Sequence, residues 1–355
     1  MVQESVVKSK RIAAPEFWRF FFFMFACFLH FEEDVYDDVF IVATGGHLVA
    51  DFFFLLSGFA VAYSYQRKPI VGPTLQYVYG KVKKIYPDFL FSVLLMFILF
   101  VVYDSSGIKS VLLHIYECRF QYFFVNALFP TGLEMRSIWF LSYWVIGLVV
   151  LSYILKRKAI LVWGGVALSF MSWHWCYIGT FYNNSVEPEF MWSVRLTKCV
   201  AQVLIGACTY ELMKRFENVR FTPLGKFLLS VFEFLVIAYV IFYITQDGRN
   251  HVDYYICLGF VLIIMFSFWN KTYLSQILDN KVSIFLGKLS FPIFLYHLFV
   301  VRLFAIYLHN NSHKLIMYIG VALGILLSSY LFHLFVEKYF KKFLSFVCNA
   351  LIVKE

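Results

Sequence analysis

Residues 48–65 read LVADFFFLLSGFAVAYSY, a stretch in which Asp51 is the only charged side chain. A helix that crosses the hydrocarbon core of a bilayer needs roughly 20 mainly apolar residues, so this stretch predicts a transmembrane helix. Comparable apolar runs recur along the chain at 15–31, 48–65, 85–103, 138–155, 159–178, 196–213, 225–245, 252–269, 289–308 and 315–336. We therefore predict an all-α polytopic membrane protein with about ten transmembrane helices.

The composition of the 355-residue chain agrees with this prediction. It is 61% hydrophobic and 15% charged, with a mean hydropathy of +0.73, whereas soluble domains carry about 25% charged residues. These values exclude a water-soluble enzyme, a disordered chain and a disulfide scaffold. Most of the seven cysteines lie in apolar runs, and we interpret them as small buried side chains. One membrane domain at 15–336 is expected, between a cytoplasmic segment at 1–14 and a cytoplasmic tail at 337–355.

The basic residues predict the orientation of the chain. With the N-terminus placed in the cytoplasm, 22 of the 31 Lys and Arg fall on the inner side, 7 on the outer side and 2 within the membrane. Cytoplasmic loops collect Lys and Arg, so both termini are predicted to be cytoplasmic. Arg19 interrupts the first apolar run, which favours an uncleaved helix over a signal peptide. The amphipathic, aromatic stretch 111–129 is interpreted as an interfacial or re-entrant segment.

Ionisable residues inside predicted spans are costly in a bilayer and mark functional candidates. Arg19 and His30 are eleven residues apart in the first span, which is about 20° past three helical turns and roughly 16 Å along the axis. They therefore share one face, with Arg19 toward the cytoplasm and His30 toward the outside. The alternative interpretation is that Arg19 snorkels inward and His30 caps the outer interface.

Asp51 lies about one turn into the second span, at a depth similar to that of His30. A carboxylate beside an imidazole fixes its tautomer and supports it as a general base. Alternatively, Asp51 caps its own helix, where an acid suits the helix dipole, and the two roles are compatible. Ser57 and Gly58 in the same span are small residues that permit close helix packing.

A basic motif, KVKKIYP at 81–87, lies at the cytoplasmic end of the third span. Considered alone, this motif, which contains Lys81, Lys84 and Tyr86, is ordinary positive-inside sequence that flanks a span. Beside Arg19 these residues indicate a phosphate-binding site.

The later spans hold further polar candidates. Trp139 opens the fourth span at the outer interface, where Trp is common. His297 shares the ninth span with Arg302, which is typical of a helix that faces the bundle interior, although a hydrogen-bonded core histidine is the alternative. His333 and Glu337 are interpreted as an interfacial pair. The sequence contains no P-loop, dinucleotide-binding, zinc-protease or serine-hydrolase motif and no Cys/His cluster with zinc spacing, so no metal is expected.

Four landmarks together resemble the acyltransferase-3 family of integral membrane acyltransferases, which mostly modify carbohydrates. The landmarks are the Arg-x10-His pair Arg19 and His30, the glycine-led stretch 46–59, the basic motif 81–87 and the Leu-Ser…His motif 289–297. They occur in family order over about 15–336. Where the family usually has Arg-x-x-Arg, this chain has Lys81 and Lys84, which keep the charge but lose the bidentate fork.

The resemblance implies transfer of an acyl group, usually acetyl, from cytoplasmic acyl-CoA to a carbohydrate or lipid-linked sugar in a bacterial plasma membrane. The expected partners are acetyl-CoA as donor substrate, the sugar acceptor and the lipid bilayer, and not nucleic acid. The expected roles are catalysis by His30 and Asp51, donor binding by Arg19, Lys81, Lys84 and Tyr86, and substrate or channel contact by Ser57, Trp139, His297 and Glu33. His30 acts as a general base or a transient acyl carrier. A transporter or flippase without acyl chemistry, and an inactive sensor or scaffold, are the alternatives.

Overall fold

The structure, a computed structural model, describes residues 12–36, 42–124, 139–178, 188–246, 252–309 and 312–351, with side chains described outside 174–178, 188–194 and 348–351. Over these ranges the chain forms helices and turns and no strand. The α-helices in chain order are α1 Ala14–Val35, α2 Val49–Arg67, α3 Thr74–Leu99, α4 Ile108–Glu117, α5 Trp139–Lys156, α6 Ile160–Ile178, α7 Pro188–Lys214, α8 Pro223–Ile244, α9 Asp253–Trp269, α10 Tyr273–Leu278, α11 Lys281–Leu308, α12 Lys314–Phe335 and α13 Lys341–Leu351.

Each predicted apolar run coincides with a helix of the described chain, namely α1, α2, α3, α5, α6, α7, α8, α9, α11 or α12. Among the described residues, six helical stretches are long and apolar enough to cross a membrane: Gly46–Arg67, Thr74–Asp104, Trp139–Lys156, Pro223–Ile244, Lys281–Leu308 and Lys314–Val347. The chain is therefore an integral membrane protein. Ten crossings and two cytoplasmic termini stay predictions.

Several helices begin before the apolar run that predicts them. The helix α3 begins at Thr74 rather than 85, and α7 begins at Pro188 rather than 196. Hydropathy detects the apolar part of a helix, whereas backbone hydrogen bonds continue through polar turns until a breaker such as Pro73 intervenes. The earlier starts place the basic motif of α3 and the first polar residues of α7 on helices rather than in loops.

The segment after α3 is folded but short. The helix α4 has 10 residues, or about 15 Å of length, which is half of the roughly 30 Å hydrocarbon thickness. Its apolar side chains Leu112 and Leu113 are exposed, and the Tyr86 hydroxyl donates to the carbonyl of Tyr122 over 3.3 Å. The described part thus lies against α3 without spanning a membrane, and residues 125–129 of the predicted segment lie outside the described ranges.

Paired contacts give the relative directions of the helices. On α1 and α11, Arg19 contacts Ser290 and His30 stacks on His297, so the two helices run parallel. On α2 and α7, Asp51 faces Lys198 and Gln66 accepts from Tyr210, so this pair is also parallel. Both results agree with the alternation of inner and outer loops that the basic residues predict.

Two glycines bring the backbones of α2 and α7 into direct contact. A Cβ atom on Gly58 would lie 1.9 Å from the carbonyl oxygen of Val203, and one on Gly206 would lie 2.0 Å from that of Leu55. Non-bonded carbon and oxygen atoms do not approach this closely, so only glycine fits at either position. The prediction that Gly58 permits close packing is confirmed.

We expect Gly206→Ala to destabilise the protein by about 1–3 kcal/mol or more, the range for overpacked cores, because the new methyl group forces α7 away from α2. Gly165→Ala on α6 is the matched control, since a Cβ there meets nothing within 4 Å and alanine favours the helix by about 1 kcal/mol. Thermal unfolding of the two purified variants in one detergent measures the difference. Equal unfolding temperatures would contradict the close approach of α2 and α7.

Candidate active site

His30 and Glu33 form a hydrogen-bonded pair near the end of α1. Their spacing of three residues places both side chains on one helix face, and Nδ1 of His30 lies 2.9 Å from Oε2 of Glu33. Each side chain is about one fifth exposed, at 18% and 19%. An ionised carboxylate only accepts hydrogen bonds, so Nδ1 of His30 carries the proton and donates. In the neutral imidazole the other ring nitrogen, Nε2, then has the lone pair that can take a proton.

His297 on α11 lies beside this pair. Its ring stacks on that of His30 with centroids 5.4 Å apart and an angle of 27° between the planes. Its Nδ1 lies 2.9 Å from the carbonyl of Phe294 and 3.1 Å from that of Ile293. Carbonyls accept only, so Nδ1 donates and Nε2 is the acceptor. This Nε2 is buried and has no hydrogen-bond partner in the described chain.

Arg19 joins the other end of the same two helices. Its Nε donates to Oγ of Ser290 over 2.6 Å, and its terminal nitrogen donates to the carbonyl of Gly287 and lies 2.9 Å from a carboxylate oxygen of Glu16. About a third of the side chain, 31%, remains exposed. Arg19 and His30 therefore face α11 together, which agrees with the shared face that their spacing predicts.

Asp51 lies in a different place from the one that its depth suggests. The structure places Glu33, and not Asp51, within hydrogen-bonding distance of His30. Asp51 instead faces Lys198 of α7, with Oδ1 2.9 Å from Nζ and side-chain exposures of 1% and 6%. The histidine pair between α1 and α11 and the Asp51–Lys198 pair between α2 and α7 are therefore two separate polar groups.

Both predicted channel residues, Ser57 and Trp139, are associated with α5. Ser57 contacts this helix from α2, and Trp139 is its first residue. The hydroxyl of Ser57 accepts a hydrogen bond from Nε1 of Trp144 over 3.2 Å. The ring of Trp139 packs edge-on against Tyr143 with centroids 5.5 Å apart and lies 6.4 Å from Phe54. These contacts fix how α5 packs on α2.

The predicted donor-binding residues of α3 lie on a helix that also packs on α11. Lys84 is exposed and Lys81 is half-buried, with its ammonium 5.3 Å from the ring centroid of Tyr77. Tyr86 is held by its hydrogen bond to the carbonyl of Tyr122. Because Arg19 contacts α11 from α1, the two helices that carry the predicted donor-binding cations both pack on α11.

The sequence prediction missed several buried polar residues, among them Lys198 and Glu32. The apolar run at 196–213 places Lys198 near the edge of a predicted span, yet α7 begins earlier and carries Lys198 into the core, where it is 5% exposed. Glu32 follows the apolar run at 15–31, but it lies in α1, is fully buried and accepts from the backbone of Val42 and Ala43 over 2.8 and 3.2 Å. The sequence did carry a signal that Lys198 is buried, because it lies two residues inside the predicted span 196–213.

An apolar cavity of about 370 Å³ lies between α2, α6, α7 and α9. None of the predicted site residues lines it. Leu55 and Gln202 are among its lining residues, each one turn beyond a member of the Asp51–Lys198 pair. The cavity therefore lies nearer to the Asp51–Lys198 pair than to the histidine pair.

These features define an integral membrane protein whose polar groups meet in pairs inside a helix bundle. The chain belongs to the acyltransferase-3 family, whose model, described as an acyltransferase domain, matches residues 12–336. It is therefore a membrane acyltransferase, as the resemblance predicts. No curated protein matches the chain, and no solved structure matches it.

Proposed function

We infer that this membrane acyltransferase moves an acetyl group from cytoplasmic acetyl-CoA to a hydroxyl of a carbohydrate or lipid-linked sugar in a bacterial plasma membrane. The observation that carries the inference is the hydrogen bond between His30 and Glu33. It places the single proton of the neutral imidazole on Nδ1, so that Nε2 is the ring nitrogen that can accept a proton, as a general base requires. The family supplies acyl transfer as the reaction class.

In the proposed reaction, Nε2 of His30 takes the proton of the acceptor hydroxyl while the oxygen attacks the thioester carbonyl. The tetrahedral intermediate collapses, the carbon–sulfur bond breaks, and an ester forms. The thiolate of CoA receives the proton back from the imidazolium, so the base is regenerated. Glu33 holds the ring and stabilises its positive charge in between, as the carboxylate of a catalytic triad does. Glu33 takes the orienting role that the sequence assigns to Asp51.

His297 is proposed to position the acceptor. Its unpartnered Nε2 is a buried hydrogen-bond acceptor, and the stacked geometry places it beside His30. A sugar offers several hydroxyl donors, so one hydroxyl donates to His297 while another reacts at His30. The carboxylate of Glu33 next to them disfavours a strongly anionic acceptor by like-charge repulsion.

The donor is proposed to bind through its phosphates on the cytoplasmic side. Lys81 and Lys84 lie one turn apart on α3 and supply point charges. Arg19 supplies a partly exposed guanidinium from α1. Roughly 16 Å of helical rise separates Arg19 from His30, a distance that the extended pantetheine arm of CoA spans. Tyr86 holds the end of the basic motif in place.

The proposal is tested by acetyl-CoA binding to the purified full chain in nanodiscs. We expect saturable binding that Lys84→Ala weakens by about tenfold or more, because a hydrogen bond to a charged group contributes about 1.5–3 kcal/mol. Lys83→Ala is the matched control, since Lys83 is also exposed but points about 100° away on the helix. No binding of any acyl-CoA to folded wild type would contradict the proposal and favour the transporter alternative.

A further inference from the structure

A cluster of three metal-binding side chains lies away from the histidine pair, where α3 meets the end of α12. Its members are Asp88, His333 and Glu337, and one ligand atom of each lies within 4.8 Å of the other two. Asp88 is buried, with 5% of its side chain exposed, whereas His333 is 34% exposed and Glu337 is 46% exposed. The cluster therefore has a buried wall and an open side.

Local structure explains why these residues meet. The four-residue spacing of His333 and Glu337 places them on one helix face, and a π-helical turn at Val336–Phe340 follows α12 there. Single π turns are frequent at functional sites. The sequence interpretation of His333 and Glu337 as an interfacial pair omits the third member, because Asp88 lies about 245 residues earlier and reaches the cluster only through the packing of α3.

The carboxylate of Asp88 is held in place before any ligand binds. Its Oδ1 accepts a hydrogen bond from the hydroxyl of Tyr296 over 3.0 Å, and the same oxygen lies 3.0 Å from Nδ1 of His333. Metal-binding groups are commonly oriented by such outer hydrogen bonds. Lys341 bonds to Oε1 of Glu337, which leaves the other carboxylate oxygen of Glu337 for a ligand.

We propose that Asp88, His333 and Glu337 bind one divalent transition-metal ion, with Zn²⁺ as the best-suited ion. Zinc takes imidazole nitrogen at about 2.0–2.1 Å and carboxylate oxygen at about 2.0–2.2 Å. Nδ1 of His333 and Oδ1 of Asp88 lie 3.0 Å apart, a few tenths of an ångström closer than the roughly 3.4 Å that two such bonds span at a tetrahedral angle. The ion takes the place of the proton between these two atoms, which binding releases. Three protein ligands and an open side leave the fourth position to water.

A metal ion at this position joins α12 to α3. Lys84 lies one helical turn before Asp88 on α3, and Tyr296, which holds Asp88, precedes His297 on α11. The ion therefore stabilises the packing of the helix that carries the basic motif. Among the described residues, Lys341 bonds directly to a member of the cluster, where it occupies a single oxygen of Glu337.

The experiment uses the full chain, free of any affinity tag, purified in detergent, treated with EDTA and titrated with ZnCl₂. We expect about one zinc per chain after desalting, measured by inductively coupled plasma mass spectrometry, and a higher unfolding temperature with zinc. His333→Ala and Glu337→Gln should each lose the bound zinc and the thermal shift. His313→Ala, at the opposite end of α12, is the matched control and should keep both.

Glu337→Gln keeps the test informative if His333→Ala fails to fold. Its side chain is about half exposed and its ion pair with Lys341 is at the surface, where such pairs contribute about 0–1 kcal/mol, so this variant folds even if His333→Ala does not. Zinc content equal in wild type, Glu337→Gln and His313→Ala would overturn the proposal, and so would no zinc in wild type. Neither outcome depends on acyl transfer, so the proposed function is tested separately.

Discussion

His30→Ala is expected to lower the rate of acyl transfer by about 10²- to 10⁴-fold, the contribution of a positioned general base. Acetyl-CoA binding should remain, because the cations that are proposed to hold the donor lie at the other end of α1 and on α3. The loss should therefore appear in kcat and not in the affinity for the donor. Initial rates with a radiolabelled acetyl-CoA, together with donor-binding isotherms, measure the two quantities on the same preparation.

Glu33→Gln separates the orienting role from the base itself. The amide keeps the size of the side chain and removes the charge that supports the imidazolium, so we expect a smaller loss of rate than in His30→Ala. His313→Ala is the control for removal of a histidine far from the site. Transfer at the wild-type rate by a correctly folded His30→Ala protein would remove His30 from the mechanism.

The helices of the bundle were largely predictable because apolar runs are a local property of the sequence. The shared face of Arg19 and His30 was predictable as well, since it follows from helical geometry alone. Both side chains contact α11, at Ser290 and at His297. The first and last motifs of the family resemblance thus contact each other at two places, through Arg19 with Ser290 and through His30 with His297.

The partners of the charged residues were not predictable in the same way. Depth along a span suggested Asp51 as the partner of His30, but depth does not say which way a side chain points around its helix. The carboxylate that contacts His30 belongs to Glu33 on the same helix. The cation that faces Asp51 comes from α7, and the contact between α2 and α7 depends on tertiary packing at Gly58 and Gly206.

Lys198→Met is expected to destabilise the protein by about 3–5 kcal/mol, the cost of leaving one member of a buried ion pair uncompensated. Asp51 is 1% exposed, and Lys198 lies 2.9 Å from its Oδ1, while neither oxygen of Asp51 accepts a hydrogen bond from another described group. The variant therefore strands a carboxylate in the core. Thermal and denaturant unfolding of the purified protein measure the loss.

The double variant Asp51→Asn with Lys198→Met decides between a structural and a catalytic role for Asp51. Removing both charges removes the penalty, and replacing buried pairs by uncharged residues is often neutral or stabilising, so stability should return toward that of wild type. Because Glu33 is the carboxylate that contacts His30 and is proposed to orient it, the restored protein should also keep acyl transfer if the Asp51–Lys198 pair serves packing. A stable double variant without transfer would return Asp51 to the catalytic machinery, and a single variant as stable as wild type would contradict the buried pair.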